Sequence, residues 1–217
     1  MPAPQVPAAL VERAASLLDR SGRVVLGITG PPGAGKSTLT ALLLARLGSD
    51  LGDDVVGHLP MDGFHLADVQ LDRLGLRDRK GAPETFDVDG YVAALRRLHA
   101  SPDRTLYVPG FQRDLEQPIA GALAIGSSAR LVVTEGNYLL LPDGGWERER
   151  PLLAEAWYVE VDDHVRRARL VSRHEEFGKS PDAAQAWVEQ VDEPNARLVS
   201  AARDAADLVV DASSIGG

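Results

Sequence analysis

Apolar residues fall along this chain in short unbroken runs, separated by longer stretches in which they recur every three or four positions. Val24-Val25-Leu26-Gly27-Ile28-Thr29 is the first run, uncharged and β-branched, and it reads as a strand buried on both faces. Further runs at 54–61, 105–108, 130–134, 156–161 and 208–210 read the same way, with Pro109-Gly110 stopping the third. Between them the period changes. Leu10, Val11, Ala14, Leu17 and Leu18 recur at helical spacing up to Gly22. Residues 38–47 are good helix formers ending at Gly48, and Val92, Leu95 and Leu98 share one face of a helix capped by Asp89. Two more helices are predicted over 163–177 and 181–206. A short one over 67–74 sits in a polar stretch, 63–83, that otherwise reads as loop. Strands alternating with helices predict an α/β fold, a mostly parallel sheet with helices on both faces.

Length and charge narrow this picture. At 217 residues the chain suffices for one well-buried domain, expected over 23–217 after a tail and packing helix in 1–22. The start is Pro- and Ala-rich, expected to be flexible, and has neither the basic nor the apolar region of a signal peptide. A net charge of −9 argues against a broad nucleic-acid footprint. No apolar stretch approaches the roughly 20 residues that span a bilayer. There are no cysteines, which excludes disulfides and thiolate chemistry. The expectation is a cytoplasmic protein with neither nucleic acid nor membrane as partner.

The candidate chemistry begins directly after the first strand. Gly30-Pro31-Pro32-Gly33-Ala34-Gly35-Lys36-Ser37 is the G-x-x-x-x-G-K-[ST] phosphate loop, and the helix beginning at Thr38 gives it the strand–loop–helix context it needs. Glycines let the backbone curl its N–H groups around a phosphate, and the helix start adds positive potential. Lys36 reaches β- and γ-phosphate oxygens, and the Ser37 hydroxyl is a Mg²⁺ ligand. The implied ligand is a nucleoside triphosphate with Mg²⁺. An Asn-Lys-x-Asp element and an LSGGQ-like signature are both missing, which leaves a small phosphotransferase. A nucleotide-binding regulator or accessory ATPase stays open on this motif alone.

Three further motifs come after it in order: Met61-Asp62-Gly63-Phe64-His65, Arg79-Lys80-Gly81-Ala82-Pro83-Glu84-Thr85-Phe86-Asp87, and Val133-Thr134-Glu135-Gly136-Asn137. With the phosphate loop they resemble the phosphoribulokinase/uridine kinase family, over about residues 24–212. Within that family they look most like the pantothenate kinase branch and the short bacterial nucleoside/nucleotide or fructose kinase-like members. The resemblance implies the three-layer P-loop fold, with a helical lid at about 163–180, and a kinase that uses ATP and Mg²⁺ on a hydroxyl of a small metabolite. The acceptor would be pantothenate-like, a sugar or a nucleoside, with a uridine-type nucleoside kinase as the alternative.

The resemblance also implies roles for residues. Asp62 would be the general base, although it also reads as a turn cap; Glu135 would help Ser37 hold Mg²⁺, with Asn137 and Tyr138 facing the same crevice. Arg166, Arg169 and Arg173, at i, i+3 and i+7, would lie on the lid. Arg169 and Arg173 are the catalytic choices, against the reading of a solvated helix face. Asn195 would contact the nucleotide. Phe111 and Arg113 stand where pantothenate kinases have P-x-Y-x-H. Here the phenol is lost and a fixed cation suited to a carboxylate or phosphate is gained. Arg79 and Lys80 either face an anionic substrate or are surface charges. His65 lines the pocket, and Phe64 either does so or is core. A homodimer stays open.

Overall fold

The computed structural model describes residues 5–215; 1–4 and 216–217 lie outside them. Helix α1 (Ala8–Ser16) leads into β1 (Val24–Thr29), the phosphate loop and α2 (Lys36–Leu51). Then come β2 (Val56–Pro60), α3 (Asp68–Leu74), α4 (Val88–Ala100), β3 (Leu106–Gln112), β4 (Gln117–Ile125) and β5 (Leu131–Glu135). The last elements are β6 (Glu155–Glu160), α5 (Asp163–Glu176), α6 (Pro181–Trp187), α7 (Glu193–Ala201) and β7 (Leu208–Asp211).

Five strands form a parallel sheet in the order β2-β5-β1-β6-β7. Because side chains alternate along a strand, each central strand feeds two cores. Val24, Leu26 and Ile28 pack with Leu39, Leu43 and Leu47 of α2 and with α1. Val25 faces the other side, with Tyr91, Leu95 and Leu98 of α4. Burial on both faces explains why β1 and β5 read as unbroken apolar runs.

Three expectations need correction. Pro109-Gly110 does not end a strand: β3 runs on to Gln112 and pairs antiparallel with β4, with a register shift between Val108 and Gly110. This hairpin is a separate two-stranded sheet, and the irregularity accommodates a proline that cannot join a regular ladder. The helix expected over 181–206 is split into α6, a π-helical turn Val188–Asp192, and α7. The cap of α4 is Asp87, whose carboxylate accepts from the Gly90 amide at 2.9 Å; Asp89 lies inside the first turn. Among the described residues, no helix is long and apolar enough to cross a membrane.

Candidate active site

The sheet register assembles the site. Ile28 of β1 and Pro60 of β2 are both in register with Glu135, the last residue of β5. Three strands therefore end side by side, and the segments leaving them converge on the crevice beyond their carboxyl ends. β1 supplies the phosphate loop, β2 supplies Asp62, and β5 supplies Glu135, Gly136 and Asn137. All line one cavity of about 580 Å³.

Helix α2 starts at Lys36 behind Gly35, with no side chain capping its first amides. Those N–H groups are left for an anion. Gly33 has φ +79, and a Cβ there would lie 2.8 Å from the Arg166 carbonyl oxygen and 2.9 Å from Leu170 Cγ. The loop is thus pressed against α5. Gly33→Ala is expected to destabilise the fold by about 1–3 kcal/mol, through left-handed strain and crowding, as read by thermal denaturation. An unchanged melting temperature would contradict this packing.

Lys36 is buried and donates to the Pro31 carbonyl at 3.0 Å. Burial lowers its ammonium to about 8, against Glu135 and Asp62, whose charges raise it. Ser37 Oγ donates to Glu135 Oε2 at 3.1 Å. Burial pushes the Glu135 carboxyl up to about 7, with the charge of Asp62 adding to the rise and Lys36 opposing it. The site therefore concentrates two carboxylates, a buried ammonium and a hydroxyl. Perturbation of this kind, by desolvation plus specific charge partners in a cleft, marks functional sites.

The hairpin forms the opposite wall. Its approach is close, since a Cβ on Gly63 would collide with the Pro109 carbonyl oxygen. That contact sets Phe111 and Arg113 beside the turn carrying Asp62. Arg113 Nη2 lies 3.7 Å from Asp62 Oδ2. His65 Nδ1 donates to the Asp62 carbonyl at 2.9 Å, and its ring sits 3.9 Å from Phe86 and 4.9 Å from Phe111, centre to centre. Burial holds this imidazole below its ordinary range, hence neutral at pH 7.

Helix α5 closes the third side. Arg166 is buried and bonded to Asp163 and to Glu193 of α7, which fixes the helix in place. One and two turns on, Arg169 and Arg173 border a second cavity of about 480 Å³ with Gly35, Thr38, Leu170, Ala212 and Ile215. Arg173 lines the first cavity too. Near it, His174 Nε2 meets Asp192 Oδ2 of the π-helical turn at 2.8 Å.

Not every candidate faces these spaces. Phe64 is core, its ring 5.2 Å from that of Tyr91. Arg79 points outward and pairs with Glu84. Lys80 lines the first cavity, but its ammonium is held by Asp68 at 2.7 Å and by the Glu116 carbonyl. Asn195 borders the first cavity, which Lys36 and Ser37 of the phosphate loop also line, and donates to the Gly81 carbonyl at 3.4 Å. Of the loop residues, Pro32, Gly33, Lys36 and Ser37 line the first cavity, while Gly30 packs on β6 and Ala34 is buried in the core. Sequence reasoning did not single out Ala212 and Ile215 of the second cavity, or Asp78 and Trp187 of the first.

No family model matches the chain. A candidate uridine kinase of Schizosaccharomyces pombe is 37% identical over 169 residues, covering 76% of this chain and 72% of its own length. The uncharacterised protein YggC of Escherichia coli K12 is 35% identical over 194 residues, covering 89% of this chain and 80% of its own. The chain belongs to the uridine kinase-like family of P-loop kinases. Among solved structures, a candidate fructose transport system kinase from Silicibacter sp. TM1040 matches with a TM-score of 0.83 at 37% identity, over 93% of this chain and 98% of that one. As a member of this kinase family, the protein joins a phosphate-binding loop to an adjacent chamber lined by a carboxylate.

Proposed function

We propose that this kinase transfers the γ-phosphoryl group of Mg·ATP to a hydroxyl of a small polar metabolite: a pantothenate-like compound, a sugar or a nucleoside. The observation that carries the reading is the seam between the two cavities. Lys36 and Ser37 border both, so a triphosphate laid along the loop ends beside Asp62 in the larger one. The base and ribose would lie in the smaller cavity, against Arg169, Ala212 and Ile215. The acceptor would lie in the larger, against the Phe86–His65–Phe111 wall and the polar groups of Asn137, Asn195 and Asp78.

The donor set suits magnesium. Ser37 Oγ and Glu135 Oε2 are hard oxygen donors 3.1 Å apart, and Mg²⁺ takes few protein ligands when phosphates and waters complete its shell. When bound there, the ion would neutralise charge on the β- and γ-phosphoryl oxygens. The chain's own groups do the rest. Asp62 accepts the acceptor's hydroxyl proton as its oxygen bonds to the γ-phosphorus; the bond from that phosphorus to the β–γ bridging oxygen breaks, and ADP leaves. Lys36 and the loop amides hold charge on the departing phosphate, and Arg173, which lines both cavities, would meet the group in transit. The turns of α5 beyond the anchored Arg166, which carry Arg169 and Arg173, are the proposed lid that keeps water away from that group.

The test is a panel of vitamins, sugars, sugar phosphates and nucleosides, read as acceptor-dependent ADP release. Acceleration by at least one hydroxyl compound is expected. Uridine or cytidine as the best acceptor would select the nucleoside kinase, whereas hydrolysis that no acceptor accelerates would favour a regulator.

The buried pair also sets a pH profile. Below about pH 7 Glu135 takes up a proton and holds a cation poorly; above about pH 8 Lys36 loses its proton and holds phosphate poorly. Affinity for Mg·ATP is expected to peak between those values and to fall by up to about tenfold per pH unit on each limb. Calorimetry across pH 5.5–9.5 reads it, and Glu135→Gln should flatten the acid limb relative to wild type. An acid limb that persists unchanged in that variant would contradict the assignment.

A further inference from the structure

The two cavities share five lining residues, Gly33, Lys36, Ser37, Arg113 and Arg173. Three are cations, and they come from three separate elements: α2, the turn of the β3–β4 hairpin, and α5. The other cations of the larger cavity are already engaged. Arg77 and Lys80 are paired with Asp68, and Lys179 lies over the Trp187 ring at 4.3 Å. Arg113 differs. Among the described residues its guanidinium donates no hydrogen bond, and its one ion contact, to Asp62 at 3.7 Å, is too long to be one. Its charge is felt at both Lys36 and Glu135. A half-exposed guanidinium that is uncommitted, beside the base and on the border of the phosphate cavity, is matched to a phosphoryl group passing from one space to the other.

We propose that Arg113 is a catalytic residue that binds the γ-phosphoryl group from the hairpin side, opposite Arg173, instead of serving as an anchor for an anionic acceptor. The assignment rests on the proposed kinase reading. It has two consequences. The acceptor needs no acidic group of its own for Arg113 to meet. The hairpin, through this one side chain, supplies part of the charge that accompanies phosphoryl transfer, from a position beside Asp62.

The test separates γ-phosphate from everything else on the nucleotide. Titration calorimetry would compare Mg²⁺ with the β,γ-imido analogue of ATP against Mg²⁺ with ADP, for wild type, Arg113→Gln and Arg113→Lys, with circular dichroism confirming the fold. Arg113→Gln is expected to weaken binding of the triphosphate about tenfold or more while ADP binding stays within about twofold. Arg113→Lys should recover part of the loss. Equal affinities for both nucleotides in wild type and Arg113→Gln would overturn the proposal and return Arg113 to the acceptor. Parallel weakening of both nucleotides would also overturn it, as a structural effect. Failure of the wild-type protein to bind either nucleotide would remove the kinase reading itself, an outcome distinct from both.

Discussion

Asp62→Asn is expected to cut acceptor-dependent turnover by about a thousandfold, within the roughly 10²–10⁴ that a positioned general base contributes. The amide keeps the shape of the carboxylate but cannot take the hydroxyl proton. Nucleotide binding should survive. The charge of Asp62 raises both Glu135 and Lys36, so its removal favours the ionised carboxyl but also the neutral amine, opposing effects that should leave Mg·ATP affinity within about tenfold. Steady-state ADP release together with calorimetry separates the two effects. Turnover within tenfold of wild type would show that Asp62 is a turn residue and no base. Loss of nucleotide affinity in step with turnover would show that it acts on the phosphate side.

Glu149→Leu is expected to stabilise the protein at pH 7 by about 2–4 kcal/mol, raising the melting temperature by at least about 5 °C. Glu149 is fully buried, and among the described residues neither carboxyl oxygen has a hydrogen-bond partner. It lies close enough for its charge to act on the Tyr91 phenol, which is itself buried and bonded to Thr134 at 2.6 Å. Burial raises the Glu149 carboxyl well above its ordinary value near 4.5. The folded state binds this proton more tightly than the unfolded chain, so its stabilising effect is complete below about pH 4.5 and is lost as pH rises through the folded-state value. Wild type should therefore lose stability relative to Glu149→Leu by up to about 1.4 kcal/mol per pH unit between about pH 4.5 and the folded-state value, and no more beyond it. Denaturant titrations of both proteins at pH 5 and 8 check this. A variant that is less stable than wild type, or a pH-independent difference, would mean that the carboxyl is solvated.

What the sequence disclosed, and what it hid, divides along physical lines. β1, α2 and β5 were legible because burial on two faces demands continuous apolar runs, and because the phosphate loop has a fixed spacing. Asp62 and Glu135 were legible as residues at strand ends, and parallel register then brings them together. The hairpin was not legible. Pro109-Gly110 punctuates a sequence as a stop, and only the irregular pairing of β3 with β4 carries the strand through. Yet that hairpin places Arg113. The π-helical turn between α6 and α7 was not legible either, because it leaves no mark in apolar periodicity. Ala212 and Ile215 carry no motif, and only tertiary packing brings them to the second cavity. Glu149 sits in Trp146-Glu147-Arg148-Glu149-Arg150, a run that reads as surface. Its burial is set by tertiary packing of two short turns.

The most direct measurement is phosphorus NMR of the products formed by wild-type protein with Mg·ATP and each acceptor of the panel. A new phosphate monoester, growing in step with ADP and abolished in Asp62→Asn, is the predicted result. Inorganic phosphate as the sole product with every hydroxyl acceptor, at a rate that Asp62→Asn leaves untouched, would contradict phosphoryl transfer through this site.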